Sequence, residues 1–282
     1  MNIFSPLSLY NYYVLKDDSY MKKNLVSILL GLIPLGLTSC GLKMSVYPDA
    51  EKYTAGNIEY SDVEVNTIDI VWLSGSLTLV EDEDATGITI SEDTDLIEKE
   101  ALVHSYFHDG ILSVKYFYSG YWCNTFNYKK DLTITYKPGL DSLKVSLTSG
   151  SLKAESIHAK EFDLDLTSGF VDISSLVSEK ADTDLTSGSV IFGKVVADEF
   201  DVDMTSGKAV VNYEAINKSS FSLTSGEIVM TLPSDGGTVK VSKTSGSVKT
   251  NREGTFSKDT YQFGEGSAQI KVSMTSGTLT IN

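Results

Sequence analysis

The sequence predicts an all-β chain that winds into a parallel β-helix, or β-solenoid, with coils of about 19 residues and Thr-Ser-Gly corners. The first observation is a repeat: Thr-Ser-Gly begins at Thr148, Thr167, Thr186, Thr205, Thr224, Thr244 and Thr275. The intervals are 19, 19, 19, 19, 20 and 31 residues, and such regularity marks a structural repeat. The second is that apolar and polar residues alternate on both sides of each corner, as in strands with one buried face. The third is that helical periodicity is absent, whereas Thr, Val and Ile are frequent.

Each coil is predicted to contain two short strands, a corner and a return loop. Equivalent strands of successive coils then pair in parallel, about 4.8 Å apart, and form two main sheets around a narrow apolar core. The glycine of each corner supplies a positive φ or a close backbone approach, so its role is structural. These corner glycines are Gly150, Gly169, Gly188, Gly207, Gly226, Gly246 and Gly277. The repeated corner serines lack a paired His and are not candidate nucleophiles.

Residues 21–40 have the pattern of an export signal that ends in a lipid anchor. Two lysines precede an apolar stretch at residues 25–37, which Gly and Pro interrupt too often for a stable membrane span. Residues 37–41, Leu-Thr-Ser-Cys-Gly, then resemble the bacterial lipobox. In a lipobox the cysteine, here Cys40, is lipidated and becomes the first residue of the mature chain.

We therefore expect residues 21–39 to be a lipoprotein signal peptide, residues 1–20 to be a misassigned translation start, and residues 40–46 to be a short tether. Lipidation at Cys40 predicts an exported lipoprotein of the bacterial cell envelope, anchored to the membrane through its N-terminal lipid. Cys123 is then left single, so no intrachain disulfide is expected.

Residues 47–282 are predicted to form one β-solenoid domain. Residues 47–140 hold irregular N-terminal coils and a cap, residues 141–250 hold the regular repeats, and residues 251–282 hold an insertion followed by the final coil. Terminal coils of solenoids are atypical because they have to cover open sheet edges.

The composition excludes several functions. The 282 residues include 38 acidic and 23 basic side chains, a net charge of −15. This balance argues against nucleic acid as a partner, since duplex binding relies on Lys and Arg at phosphates. The two cysteines and three histidines lack zinc-ligand spacing, and no phosphate-binding glycine loop is present. Apart from the calcium interpretation below, no cofactor is expected.

Six aspartates fall in register on the outward face of the strands that precede three successive corners. They form two columns, Asp163, Asp182 and Asp201 beside Asp165, Asp184 and Asp203. Carboxylates about 4.8 Å apart repel by about 1 kcal/mol per pair in water, so the face is either solvated or neutralised. A bridging Ca²⁺ or a cationic partner is one interpretation. A solvated face is favoured, because charge runs usually face water and no calcium-loop pattern is present.

An aromatic cluster at residues 106–128 also has two interpretations. In one, Tyr118, Tyr121 and Trp122 form a platform that binds a glycan or a protein. In the other, which the alternation before Tyr118 favours, these side chains seal the first coils as a cap.

Four features resemble the bacterial putative-adhesin domain family, a β-helical domain of unknown function found on lipoproteins. They are Trp-Leu-Ser-Gly-Ser at residues 72–76, Lys-Asp-Leu-Thr-Ile at 130–134, the serial Thr-Ser-Gly corners, and Gly-Glu-Gly-Ser at 264–267 with the strand-like residues 270–281. The resemblance covers nearly all of the mature chain. It implies a β-helical cell-envelope protein with an adhesive or structural role, and it brings no catalytic residues.

The resulting hypothesis is a lipid-anchored, non-enzymatic solenoid of the cell envelope that binds a protein or glycan surface. Two alternatives stay open: a polysaccharide-acting β-helix enzyme that uses clustered carboxylates, and a module that senses envelope stress. Against the enzyme, the aspartates repeat as a wall instead of differing from one another as an acid and a base do.

Overall fold

In the computed structural model, residues 46–121 and 129–282 are described, and all of them lie in one compact unit that begins at Leu42. Their regular structure is twenty β-strands and two short 3₁₀ turns, Ala50–Lys52 and Lys99–Ala101. The strands are β1 Thr54–Ala55, β2 Ile58–Tyr60, β3 Thr67–Trp72, β4 Ser76–Glu81, β5 Ile88–Thr94, β6 His104–His108, β7 Ile111–Lys115, β8 Lys130–Tyr136, β9 Leu140–Leu147, β10 Ser151–Leu166, β11 Phe170–Leu185, β12 Ser189–Met204, β13 Lys208–Leu223, β14 Glu227–Thr231, β15 Gly236–Lys243, β16 Ser247–Thr250, β17 Thr255–Ser257, β18 Thr260–Gly264, β19 Ala268–Met274 and β20 Thr278–Ile281. Within this described part, no helix is long and apolar enough to cross a membrane.

The predicted all-β solenoid is confirmed, with one difference in how each coil is built. Strands β10 to β13 each span 16 residues and run from one Thr-Ser-Gly corner to the next. They pair in parallel with a shift of one repeat, so that Leu152 faces Val171 and Phe162 faces Ala181. The predicted return loop is therefore absent from these regular coils. Pairing between β11 and β12 is interrupted only at Ser174, Ser175 and Glu179, so the chain turns without leaving the sheet.

The strands stack as two parallel ladders of nine rungs each. The first ladder contains the strands that lead into a corner, in the order β7, β3, β9, the second halves of β10 to β13, β19 and β15. The second ladder contains the strands that leave a corner, in the order β8, β4, the first halves of β10 to β13, β14, β20 and β16.

At both ends of the stack, the spatial order of the rungs differs from their order in the sequence. β3 and β4 lie between β7 and β8 on one side and β9 and β10 on the other. Near the other end, β19 and β20 lie between β13 and β14 on one side and β15 and β16 on the other. The last coil in the sequence, expected as the final rung, is thus one rung in from the end. It fits there because its backbone pairs on both edges, which a terminal rung does not achieve.

The core lies between the two ladders and is built from the alternating apolar side chains. Phe192 of the second ladder contacts Phe162 and Phe200 of the first, with ring centroids 6.4 and 5.2 Å apart. Phe200 also contacts Tyr213 and Phe221 of the next coil. Each buried phenylalanine stabilises the fold by about 1.5–3 kcal/mol, so the stacked rings tie successive coils together.

The two ends of the stack are closed to different extents. At the N-terminal end, β6 covers the whole length of β7, and β5 covers most of β8. β1 and β2 then pair with β6 and β5. At the C-terminal end, the hairpin of β17 and β18 covers only residues 236–240 of β15.

Candidate functional site

The most distinctive surface is an acidic wall on the outward face of the first ladder. Asp163, Asp182 and Asp201 are in register on three neighbouring strands. Two residues further along the same strands, the second column is formed by the in-register side chains of Asp165, Asp184 and Asp203. The structure thus places the six sequence-predicted aspartates side by side on one face.

A third outward column, which the sequence reasoning missed, runs beside the first and alternates in charge. Glu161, Lys180, Glu199 and Lys218 occupy equivalent positions on β10 to β13. Lys218 Nζ lies 3.4 Å from Glu199 Oε1. The two glutamates and two lysines of this column balance in charge, whereas the three equivalent positions of each neighbouring column are all aspartates.

Within the described part of the chain, ion pairs are formed by the first aspartate column and not by the second. Lys144 Nζ lies 3.2 Å from Asp163 Oδ2, and Lys180 forms an ion pair with Asp182. The second column instead continues into serines, and Ser146 Oγ donates a hydrogen bond to Asp165 Oδ2 at 3.1 Å.

The crowding of carboxylates changes their acidity at the centre of the wall. Partial burial raises the pKa of Asp184, and the charges of Asp165, Asp203, Asp182 and Asp163 raise it further. Burial followed by the charge of Asp182 likewise raises the pKa of Asp201, against the opposing hydrogen bond from a serine and the charge of a lysine. Ionisation of these two carboxylates is therefore less favourable in the folded chain than in the unfolded chain.

The wall does not form a compact metal cage within the residues that the structure describes. There, no group of three or more His, Cys, Asp and Glu side chains is placed to hold a metal ion. Calcium requires oxygen ligands that converge to 2.3–2.6 Å from the ion, whereas ladder positions are about 4.8 Å apart. Calcium binding by Asp163, Asp182 or their neighbours stays a prediction.

The corner glycines form a separate column, at the corners that follow the strands of the wall. Gly150, Gly169, Gly188, Gly207, Gly226, Gly246 and Gly277 have φ between +99° and +127°. A Cβ on any of them would lie 2.2–2.5 Å from the carbonyl oxygen of the glycine one rung below. Backbone bonds continue through the corner, for example from Ser187 N to Thr167 O at 2.9 Å. Both the conformation and the rung spacing therefore require glycine here.

The aromatic residues of this cluster that the structure describes pack into the N-terminal end of the stack. Tyr118 lies against His104, with ring centroids 5.4 Å apart, and Tyr121 lies 6.1 Å from Phe117 and donates a hydrogen bond to Glu98. Both tyrosines are half-buried, as a cap requires. Trp122 lies outside the described residues, as does Cys40, so the platform and the lipid anchor stay predictions.

A buried ion pair supports this end and was missed in the sequence reasoning. Lys130 Nζ pairs with Glu92, donates to Ala101 O at 2.8 Å, and lies 5.2 and 4.6 Å from the ring centroids of Trp72 and Tyr116. Both charged side chains are 1–2% exposed. The available signal was a lysine in the apolar phase of β8, because burial alternates along that strand and Lys130 occupies a buried position.

A serine and a histidine in the middle of β10 contact a glutamate at the end of β4. Glu81 accepts hydrogen bonds from Ser156 Oγ at 2.7 Å and from His158 N at 2.6 Å, and His158 Nδ1 lies 2.7 Å from the same carboxylate. The serine hydroxyl donates to the carboxylate instead of to the imidazole. In a catalytic pair the serine hydroxyl would instead donate to the histidine that acts as its general base. The three side chains therefore have a structural role, since their hydrogen bonds join β4 to β10.

Comparison with known proteins identifies the family. No curated protein matches this chain in sequence. Residues 111–282 match the family described as Toastrack DUF4097. The chain belongs to this family. The Toastrack match begins at β7 and includes all six wall aspartates and all seven Thr-Ser-Gly corners, whereas β1 to β6 precede it.

Solved structures to which the Toastrack chain is similar include three from Bacteroides and Parabacteroides species. A putative adhesin from Bacteroides fragilis NCTC 9343 has 14% identity and a TM-score of 0.45, with 80% of this chain and 96% of that chain covered. A putative adhesin from Parabacteroides merdae ATCC 43184 has 14% identity and a TM-score of 0.44, with 81% and 97% covered. A putative lipid binding protein from Parabacteroides distasonis ATCC 8503 has 13% identity and a TM-score of 0.44, with 81% and 97% covered.

Proposed function

We propose that this Toastrack chain is an exported lipoprotein of the bacterial cell envelope that acts as a non-enzymatic, adhesin-like interaction module. Its contact surface would be the outward face of the first ladder. The observation that carries the proposal is the registered array of charges on that face, which continues from rung to rung instead of converging on one point. A surface of this kind suits extended, multivalent contact.

The attachment of the chain to the solenoid supports anchoring at Cys40. Tyr47 N donates to Ser119 Oγ at 2.9 Å, and Tyr47 OH donates to Phe117 O at 3.1 Å. These bonds fix the beginning of the domain at the N-terminal end of the stack. Nine rungs about 4.8 Å apart then extend the first ladder roughly 40 Å along its axis from this end, and the wall aspartates lie on three of its middle rungs.

The chemistry of the wall supports a binding role over hydrolysis. Asp163, Asp182 and Asp201 occupy equivalent positions, so none is set apart as an acid with a matching base. Glycoside hydrolysis requires two carboxyl groups with different protonation states on either side of one bond.

Lipidation is tested by growing cells with an alkyne-tagged palmitate and measuring label on the immunoprecipitated chain. We expect label and membrane fractionation for the unaltered chain and for Cys123→Ala, and loss of both for Cys40→Ala. Equal labelling of Cys40→Ala would reject the anchor.

Binding through the wall is tested with a photo-crosslinking amino acid placed at Asp165 in living cells. The matched control carries it at Lys153, an exposed position of the same strand in the second ladder. We expect crosslinked products at Asp165 and few at Lys153. The same products at both positions would contradict binding through the wall.

A further inference from the structure

The C-terminal end of the stack presents a sheet edge with free backbone groups. β16 pairs with β20 on one side, and no strand of residues 46–121 or 129–282 pairs with its other side. β18 ends its pairing with β15 at Lys240, and Val241 N donates to Asp259 O at 2.7 Å just beyond. From there to the end of β16, the outer edge of the terminal rung is open.

The direction of each backbone group on this edge follows from the bonds made on the inner side. Ser247 N donates to Gly277 O and Asn251 N donates to Ile281 O, so residues 247, 249 and 251 face the neighbouring rung. In a parallel ladder alternate residues face alternate sides. Val248 and Thr250 therefore direct their N–H and C=O groups outward, where another strand would bond.

Charge on this end has the opposite sign to the rest of the chain. Residues 236–282 carry six basic and three acidic side chains, a net charge of +3. Residues 46–235 carry 13 basic and 33 acidic side chains, a net charge of −20. Lys240 and Lys271 occupy neighbouring rungs in register on the outer face. Lys249 lies on the open strand and is exposed.

The terminal rung also carries a lysine at a position that is apolar in every other regular coil. Lys243 is in register with the buried Met274, and the equivalent residues Leu166, Leu185 and Met204 are buried. Lysines at an edge disfavour pairing with a second basic edge, such as the same end of another copy. The same lysines attract a strand that carries acidic side chains.

We propose that the open edge of β15 and β16 binds an extended acidic peptide segment of a partner protein, which adds to the sheet as one more strand. Backbone bonds to Val248 and Thr250 supply the register. Side chains of the added strand alternate between an acidic residue beside Lys249 on the outer face and a β-branched residue beside the half-buried Val248 and Thr250 on the inner face. This inference does not depend on lipidation of Cys40 or on binding through the acidic wall.

The probe that follows from this geometry is a fluorescein-labelled peptide of four Glu-Val repeats. Binding to the full chain, purified in detergent, is measured by fluorescence anisotropy. We expect saturable binding that weakens at least tenfold for Lys249→Glu, and that is unchanged for Lys153→Glu, an exposed lysine far from the edge. A peptide of four Lys-Val repeats is expected not to bind.

The contribution of backbone pairing is tested on the peptide, which leaves the protein intact. Methylation of the valine nitrogens removes N–H donors without changing charge, and we expect at least a tenfold loss of affinity. If the methylated peptide or an octaglutamate binds as tightly as the Glu-Val peptide, the end is a polyanion surface and strand addition is rejected. Strand addition is also rejected if the Glu-Val peptide does not bind, or if sedimentation shows that a second copy of the chain occupies the edge.

Discussion

The substitution Gly188→Ala is expected to lower the free energy of unfolding through two effects, one conformational and one steric. Gly188 has φ of +110°, and an added Cβ would lie 2.4 Å from Gly169 O and 2.8 Å from Gly169 N. The left-handed conformation alone costs about 1–2 kcal/mol for a residue with a Cβ. The overlap is relieved only if two rungs move apart, which stretches corner bonds such as Ser189 N to Gly169 O at 3.0 Å. Weakening two or three such bonds adds about 1 kcal/mol each.

The expected loss for Gly188→Ala is therefore about 3–5 kcal/mol. Gly139→Ala is the matched control, because Gly139 has φ of +93° and an added Cβ there meets nothing within 4 Å. It incurs only the conformational cost of about 1–2 kcal/mol. In a chain of this size 1 kcal/mol changes Tm by about 2–4 °C, so calorimetry and urea unfolding separate the two variants. Equal losses would refute the argument that rung spacing excludes a side chain at the corner.

Three further changes test the wall, the buried pair and the core. Since the raised pKa of Asp184 means that its ionised form is disfavoured in the folded chain, that cost is present above the folded pKa and disappears as the pH falls below the unfolded value near 3.8. Asp184→Asn is therefore expected to raise Tm at pH 7 and to leave it unchanged at pH 3, and an equal gain at both values would contradict this cause. Lys130→Met leaves Glu92 buried without its main cation and is expected to cost about 3–5 kcal/mol in urea unfolding, with partial recovery when Glu92→Gln is added; a cost below about 1 kcal/mol would argue against the pair. Phe200→Ala is expected to cost about 3–5 kcal/mol, and Phe170→Ala, which is 41% exposed, well under half of that; similar losses would show that the core is not continuous between coils.

The regular part of the fold was predictable because its information is local and repeated. A spacing of 19 residues places Asp163, Asp182 and Asp201 in one column once the strands are taken to pair in parallel, and the structure has that register. Alternation around each Thr-Ser-Gly similarly predicts which side chains are buried, as Phe162 and Phe200 are.

The ends of the stack were not predictable in the same way, since their order depends on which open edge each strand meets in space. Nothing in the spacing between Thr244 and Thr275 indicates that the later coil, β19 and β20, lies one rung further from the end of the stack than the earlier coil, β15 and β16. The pairing of Lys130 with Glu92 joins residues 38 positions apart and depends on β5 folding back over β8. Both features come from long-range contacts: alternation marks Lys130 as a buried position but does not identify Glu92 as its partner, and the repeat does not give the order of the end coils.

The position of β19 and β20 between two coils that precede them in the sequence has a consequence for how the stack assembles. Until residues 268–281 are in place, β13 and β14 cannot be joined to β15 and β16 by hydrogen bonds, and the four strand edges that face the gap stay unpaired. A chain that lacks residues 268–281 lacks the two strands that connect β15 and β16 to the rest of the stack. The stack is therefore continuous to β15 and β16 only when residues 268–281 occupy their place.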